Sequence, residues 1–225
     1  MNQENLTERD QFFSKLSHDL RGSFTSTLGF SDILNDPNEK LTYEEINEFV
    51  SRIGTQTRES YELLLNFINW LKLDTYSYGL TKENLNLLDL VLQTKSYYKK
   101  LLAENKIEVK IEIDDNQYLH LDYEIASSIF NNIFLFLKRI TKLNSTIIIR
   151  TVKSEIADFS IVEFITNCAE EDLSYLTNLK LEKLTGNISY PIVFAIKFTE
   201  LSGGNFEFFQ DIDNTLKIVL SVPNQ

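Results

Sequence analysis

The chain is short of the residues on which several common chemistries depend. It has one cysteine, two histidines, three prolines and seven glycines in 225 residues, the glycines at under half their usual frequency. One cysteine excludes a disulfide framework and a thiolate metal cluster. Two histidines, His18 and His120, leave too few imidazoles for a His-based zinc site. No two of Gly22, Gly29, Gly54, Gly79, Gly186, Gly203 and Gly204 have GxG spacing, so the familiar glycine-rich phosphate cradles are missing. Basic residues are scarce as well. With 22 Lys and Arg against 33 Asp and Glu, the formal charge is −11, which argues against nucleic acid as a partner because phosphate neutralisation needs clustered cations. Long apolar runs are absent too. Residues 125–137 are interrupted by Ser127, Ser128, Asn131 and Asn132, short of the roughly 18 apolar residues of a spanning helix. The polar start Met1-Asn2-Gln3-Glu4-Asn5 carries no signal-peptide pattern. The expectation is a cytoplasmic protein with no membrane association.

What is present is periodicity. Over residues 10–34, Phe13, Leu16, Leu20, Phe24 and Leu28 recur at helical spacing, and Asp36-Pro37-Asn38 stops that helix. Thr42 followed by Glu45 is a capping box that opens a second helix running to about residue 73. Its seam, Ile46, Val50, Ile53, Thr57, Ser60, Leu64, Phe67 and Leu71, has heptad spacing, which packs helices nearly parallel. A lone hairpin buries too little, so the seam predicts a second copy of the chain and a dimeric four-helix bundle. Tyr76-Ser77-Tyr78-Gly79 breaks the pattern and predicts a linker. The expected domains are a helical hairpin over 1–76 and a second domain over 80–225.

In that second part helices and strands alternate. The patterns predict a helix over 87–104, a strictly alternating strand over 107–113, a short strand over 118–121 and a strongly apolar helix over 123–141. Strands follow over 146–152 and 159–165, then a weak helix over 170–179. A helix over 192–201 ends at Gly203-Gly204, and strands 206–209 and 216–222 close as an antiparallel pair. The fold class is α+β, with helices on one face of a mixed sheet.

Candidate chemistry begins at Ser17-His18-Asp19-Leu20-Arg21. At about 100° per residue, position 18 lies about 200° round the helix from the apolar Leu20, so His18 points to solvent. An exposed imidazole is a competent nucleophile, and an adjacent carboxylate can orient it. Taken alone, such a pair is also ordinary solvated surface.

The surrounding residues extend the pattern. Phe12-Phe13-Ser14-Lys15-Leu16-Ser17-His18-Asp19-Leu20-Arg21, continuing through Leu28-Gly29-Phe30 and Ile33-Leu34, resembles the H-box of sensor histidine kinases. In that family the histidine accepts a phosphoryl group and the adjacent acid assists. The resemblance runs collinearly through the two-helix unit, the linker, residues 87–113, an N-box-like helix over 122–141 and the closing Glu200-Leu201-Ser202-Gly203-Gly204-Asn205-Phe206-Glu207. It implies a Bergerat-like α/β sandwich as the second domain. It also implies that His18 is the phosphoacceptor, with Asp19 and Arg21 assisting and Ser17, Gly22 and Thr25 at the docking surface.

The departures concern nucleotide. The family holds magnesium through two N-box asparagines one turn apart. Asn132 fits the first position, but the second is Phe136, which has no oxygen for a hard cation. Residues 163–172, at the family's adenine-reading segment, contain no glycine. The glycine-rich loop before the last helix aligns with Ser189-Tyr190-Pro191, which cannot wrap amides round a phosphate. The family's water-positioning residue one turn after the histidine is here Gly22, so strong phosphatase activity is not expected. His120 reads as a strand residue, Cys168 as a structural thiol, and Phe130, Phe134, Phe136 and Phe194 as core that fills a former nucleotide cavity.

The resemblance and its gaps together imply a histidine phosphotransfer protein with a degenerate nucleotide site. It would relay phosphoryl groups between receiver-domain aspartates of response regulators through His18, as a homodimer. It would need no cofactor in this chain, and the magnesium would sit on the partner receiver. The alternatives are a divergent ATP-dependent autokinase and a non-catalytic adaptor for receivers or kinases.

Overall fold

A computed structural model describes residues 3–75, 80–153, 158–168, 190–211 and 213–225. The chain divides into two compact units, Met1–Ile68 and Asn69–Gln225. The expected linker at 76–79 and the weak helix at 170–179 lie outside the described residues.

The first unit is a helical pair, α1 (Gln3–Asn35) and the larger part of α2 (Tyr43–Thr75). Between them the Asp36 carboxylate accepts the Asn38 backbone N–H at 2.9 Å, a local turn that ends α1. The capping box is formed: Thr42 N and Oγ1 donate to Glu45 Oε2 at 2.8 and 2.9 Å, and Glu45 N donates back to Thr42 Oγ1 at 3.3 Å. Across the pair, Phe13 meets Phe67 edge-on at 5.3 Å and Phe30 stacks on Phe49 at 5.5 Å. One polar interruption of the seam is satisfied inside the pair: the buried Ser60 hydroxyl donates to the Gln56 carbonyl at 2.8 Å, with Ser23 Oγ 2.7 Å away.

One sequence expectation needs correction here. The stripe through Phe13, Leu16, Leu20, Phe24 and Leu28 does not stay on one side. Leu16 is buried, whereas Phe24 is 49% and Leu28 63% exposed. The cause is geometric: repeated steps of four residues drift about 40° each on a 3.6-residue helix, so the α2-facing positions become Ser23, Thr27 and Phe30. On α2 the outward positions Ile46, Val50, Leu64 and Ile68 are exposed as well.

The second unit contains the last seven residues of α2 and the whole sandwich. In chain order the elements are β1 (Lys82–Asn86), α3 (Leu87–Tyr97), α4 (Lys99–Glu104), β2 (Glu108–Glu112) and β3 (Tyr118–Asp122). Then come α5 (Tyr123–Ile140), β4 (Thr146–Val152), β5 (Phe159–Asn167), α6 (Tyr190–Leu201), β6 (Asn205–Gln210) and β7 (Thr215–Pro223). The main sheet has the order β2-β4-β5-β7-β6, with β2 parallel to β4 and all other pairs antiparallel. It is the mixed sheet the alternating pattern predicted. A separate antiparallel pair joins β1 to β3.

Strand β1 was not expected, since Lys82-Glu83-Asn84-Leu85-Asn86 has no β-branched residue; it is extended because β3 offers it a ladder. The predicted helix over 87–104 is two helices, broken at Tyr98, whose φ of −90° and ψ of 5° leave the helical region.

The core lies between the sheet and α5. Alternate residues Leu216, Ile218, Leu220 and Val222 of β7 are buried, as period-two patterning requires. Phe130 packs on Phe164 at 5.9 Å and Phe136 on Phe208 at 6.4 Å. Phe194 and Phe198 of α6 extend the same core. After α6 the chain turns through a Schellman motif: Gly204 N donates to the Thr199 carbonyl at 2.8 Å and Gly203 N to the Glu200 carbonyl at 3.0 Å, with Gly203 at φ 85°. Gly204 is required for space, because a Cβ there would collide with the Ser221 carbonyl oxygen and lie 2.9 Å from Thr199 Cγ2.

Candidate functional site

His18 sits in the middle of α1 with its side chain 84% exposed, and its Nδ1 lies 3.2 Å from Asp19 Oδ1. An ionised carboxylate only accepts hydrogen bonds, so this pairing places the ring hydrogen on Nδ1 and leaves the Nε2 lone pair facing solvent. The helical turn that exposes His18 also sets its neighbours. At about 100° per residue, Thr25, Gly29 and Gly22 fall within about 40° of His18, and all three are exposed. A Cβ added at Gly22 or Gly29 would meet nothing within 4 Å. The imidazole therefore stands clear on a face of small side chains. Arg21 and Ser17 are also exposed, but they lie about 60° and 100° round the helix from His18.

The side chains at the expected nucleotide positions lie in the second unit. Asn132 is 1% exposed, and its Nδ2 donates to the Ser128 carbonyl at 2.8 Å. Phe136 is 1% exposed, edge-on to Phe208. Tyr190 and Pro191 begin α6, where the missing N–H of a proline costs nothing. Residues 163–167 complete β5, and the buried Cys168 follows it, its N–H donating to the Asn214 carbonyl at 3.0 Å. These side chains do not fit a magnesium held by two amide oxygens one turn apart, because Phe136 has no oxygen and Asn132 faces inward. The four phenylalanines expected as core, Phe130, Phe134, Phe136 and Phe194, are all fully buried.

His120 is half-buried on β3, with Nδ1 2.9 Å from Oδ1 of its cross-strand neighbour Asn84. The adjacent Asp122 caps α5 by accepting from Glu124 and Ile125 N–H groups, which uses the carboxylate structurally. Among the described residues no group of three His, Cys, Asp or Glu side chains could hold a metal ion. The sequence reading missed Asn69, Trp70 and Lys72, which place the end of α2 on α5 and α6. The available signal was Trp70, the sole tryptophan of the chain.

Two long helices followed by a mixed sheet covered by helices is the fold of solved histidine kinase structures. Over 92% of its length the chain superposes on the histidine kinase AdeS of Acinetobacter baumannii, with a TM-score of 0.69 at 10% identity and 98% of that chain covered. It matches the histidine kinase ThkA, solved in complex with the response regulator TrrA, with a TM-score of 0.66 at 17% identity, covering 99% of this chain and 64% of the other. In sequence it is 22% identical over 125 residues to the sensor histidine kinase YclK of Bacillus subtilis, covering 56% of this chain and 26% of YclK. It is 23% identical over 147 residues to the sensor-like histidine kinase ycf26 of Pyropia yezoensis, covering 64% of this chain and 22% of that protein. The chain thus spans about a quarter of the length of these curated relatives. No family model matches it. Among the described residues, no helix is long and apolar enough to cross a membrane.

Proposed function

We propose that the protein is a histidine phosphotransferase of a two-component relay, carrying phosphoryl groups between receiver aspartates through His18 without using ATP. The observation that carries this reading is the exposed, Asp19-oriented imidazole on a helix face of small residues. Nε2 attacks the phosphorus of a receiver's phosphoaspartate; the N–P bond forms, the acyl O–P bond breaks, and the aspartate carboxylate leaves. Asp19 faces the positive charge that develops on the ring and holds the Nδ1 hydrogen, and Arg21 is near enough along the helix to meet the phosphoryl oxygens. The receiver supplies the magnesium, and the chain supplies a positioned nucleophile. Reversal of the same step passes the group to a second receiver.

The dimer belongs to the same proposal. Phe24, Leu28, Ile46, Val50, Leu64 and Ile68 are exposed apolar residues on the helical pair, and a second copy would cover them as a four-helix bundle. The buried Phe136 and inward Asn132 support a role without nucleotide. The second reading is an ATP-dependent autokinase, favoured by the uniform kinase identity of the relatives. Incubation with a phosphorylated receiver tests the proposal: label moves to wild type and not to His18→Gln. Label appearing on His18 from ATP alone supports the autokinase instead.

A further inference from the structure

We propose that Ser23 and Ser60 form a polar pin that sets the rotation of α1 about its own axis, and that Ser23 is thereby a positioning residue for His18. The seam of the helical pair has an aromatic contact towards each end, Phe13–Phe67 and Phe30–Phe49. Between them the two helices meet through polar side chains. Ser60, 1% exposed, has its Oγ 2.7 Å from Ser23 Oγ and 2.8 Å from the Gln56 carbonyl, and Ser23 Oγ lies 3.3 Å from that same carbonyl. Each hydroxyl has one hydrogen to give. Either Ser60 donates to Gln56 and Ser23 to Ser60, or Ser60 donates to Ser23 and Ser23 to Gln56. Both arrangements satisfy both hydroxyls, and both tie α1 to α2. Thr27 adds to the layer one turn on, donating to the Ser23 carbonyl at 3.0 Å with Gln56 Oε1 3.5 Å away.

Apolar burial alone does not select this setting of α1. It turns Phe30 onto Phe49 but leaves Phe24 and Leu28 outside, 49% and 63% exposed. At about 100° per residue, turning α1 by about 50° would bring Phe24 and Leu28 towards α2 and carry Phe30 off it. That turn moves an atom about 4 Å from the helix axis by about 3 Å, which parts Ser23 Oγ from Ser60. It also brings the bulk of Phe24 towards the place where two serines now touch. The pin is therefore what separates the two settings, and fixing one packing arrangement is the best-attested use of a buried polar group in a helical seam. His18 precedes Ser23 by five residues, about 140° round the helix and about 7.5 Å along it. With Ser23 held on α2, the imidazole points away from α2. The turned helix would swing it sideways by several ångström, and group transfer tolerates little misplacement. The pin is independent of the reaction at His18; only the positioning role rests on the phosphotransfer reading.

Hydroxyl-radical footprinting of the full chain reads the rotation through Phe30 and Phe49, both half-buried. Combining Ser23→Ala with Ser60→Ala removes both hydroxyls together, so neither is left unpaired. In that variant oxidation of Phe30 and Phe49 should rise several-fold, while far-UV circular dichroism and the thermal midpoint stay near the wild type. Single-turnover transfer from a phosphorylated receiver to His18 should slow by about tenfold or more. Ser23→Thr keeps the hydroxyl and should match the wild type in footprint and in rate. An unchanged footprint in the alanine pair, a rise that comes only with global unfolding, or a Ser23→Thr protein that behaves like the alanine pair overturns the pin. A changed footprint with unchanged transfer overturns the positioning role of Ser23. A wild type that takes no label from any receiver contradicts phosphotransfer instead, and the footprint then decides the pin by itself.

Discussion

Asp19 Oδ1 lies 3.2 Å from His18 Nδ1, with His18 84% exposed and Asp19 38% exposed. The pair is local, made by consecutive residues of one helix, and it leaves Nε2 as the ring nitrogen facing solvent. Asp19→Ala should leave the fold intact and slow phosphoryl transfer to His18 by about tenfold, the kinetic equivalent of about 1.4 kcal/mol from one lost charge-assisted hydrogen bond. Single-turnover transfer from a phosphorylated receiver measures it. An unchanged rate would show that Asp19 does not orient the ring.

Gly22 separates fold from docking. Nothing lies within 4 Å of a Cβ at this position, and a helix-interior glycine is about 1 kcal/mol less favourable than alanine. Gly22→Ala should therefore raise the stability of the helical pair by about that amount, seen as a higher denaturant midpoint. A bulky side chain such as Gly22→Leu should slow transfer with the fold unaffected, because the partner must approach His18 across this face.

Gly204 behaves in the opposite way. Its missing Cβ leaves room for the Ser221 carbonyl and Thr199, so Gly204→Ala should destabilise the second unit by about 1–3 kcal/mol, the usual cost of forced overpacking. Phe136→Ala should cost more, about 3–5 kcal/mol, because it empties a fully buried site against Phe208. Chemical denaturation of the full chain measures both.

The α2 cap is sensitive to acid. The Glu45 carboxyl is held below its ordinary value of 4.5, first by the Thr42 backbone N–H and then by the Thr42 hydroxyl. A carboxyl depressed in the folded state contributes stability that is full above its ordinary value and fades as the pH falls through the lower folded one. Glu45→Gln should thus melt below the wild type at neutral pH, and the two curves should converge in acid. Curves that stay parallel at every pH would remove the cap from the account.

The exposed apolar residues of the helical pair make the dimer testable. Val50→Asp or Leu28→Asp, at positions 55% and 63% exposed in one chain, should yield a monomer in sedimentation, since each buried aliphatic side chain is worth about 1.5–3 kcal/mol. A wild type that sediments as a monomer would contradict the four-helix bundle.

Much of the architecture was legible because it follows from periodicity. The capping box at Thr42 and Glu45, the alternation of Glu108–Glu112 and the apolar helix Tyr123–Ile140 are written in spacing alone. Strand Lys82–Asn86 was not, because its conformation comes from the ladder to Tyr118–Asp122 rather than from its own residues. The break at Tyr98 was hidden for the same kind of reason: the side chain is aromatic and buried, stacked on Phe134 at 6.1 Å, so it continues the helical pattern while the backbone departs from it. The exposure of His18 was readable from its angle to Leu20. The outward turn of Phe24 and Leu28 was not, because drift accumulates over several turns. Contacts from Asn69, Trp70 and Lys72 to α5 and α6 join positions far apart in sequence, which no local pattern encodes.

The most direct test mixes the purified chain with a panel of phosphorylated receiver domains, without nucleotide, and follows label by chemical class. The account predicts acid-labile, base-stable phosphohistidine on the wild type from at least one receiver, and none on His18→Gln. Absence of label from every receiver, or equal labelling of His18→Gln, would contradict it.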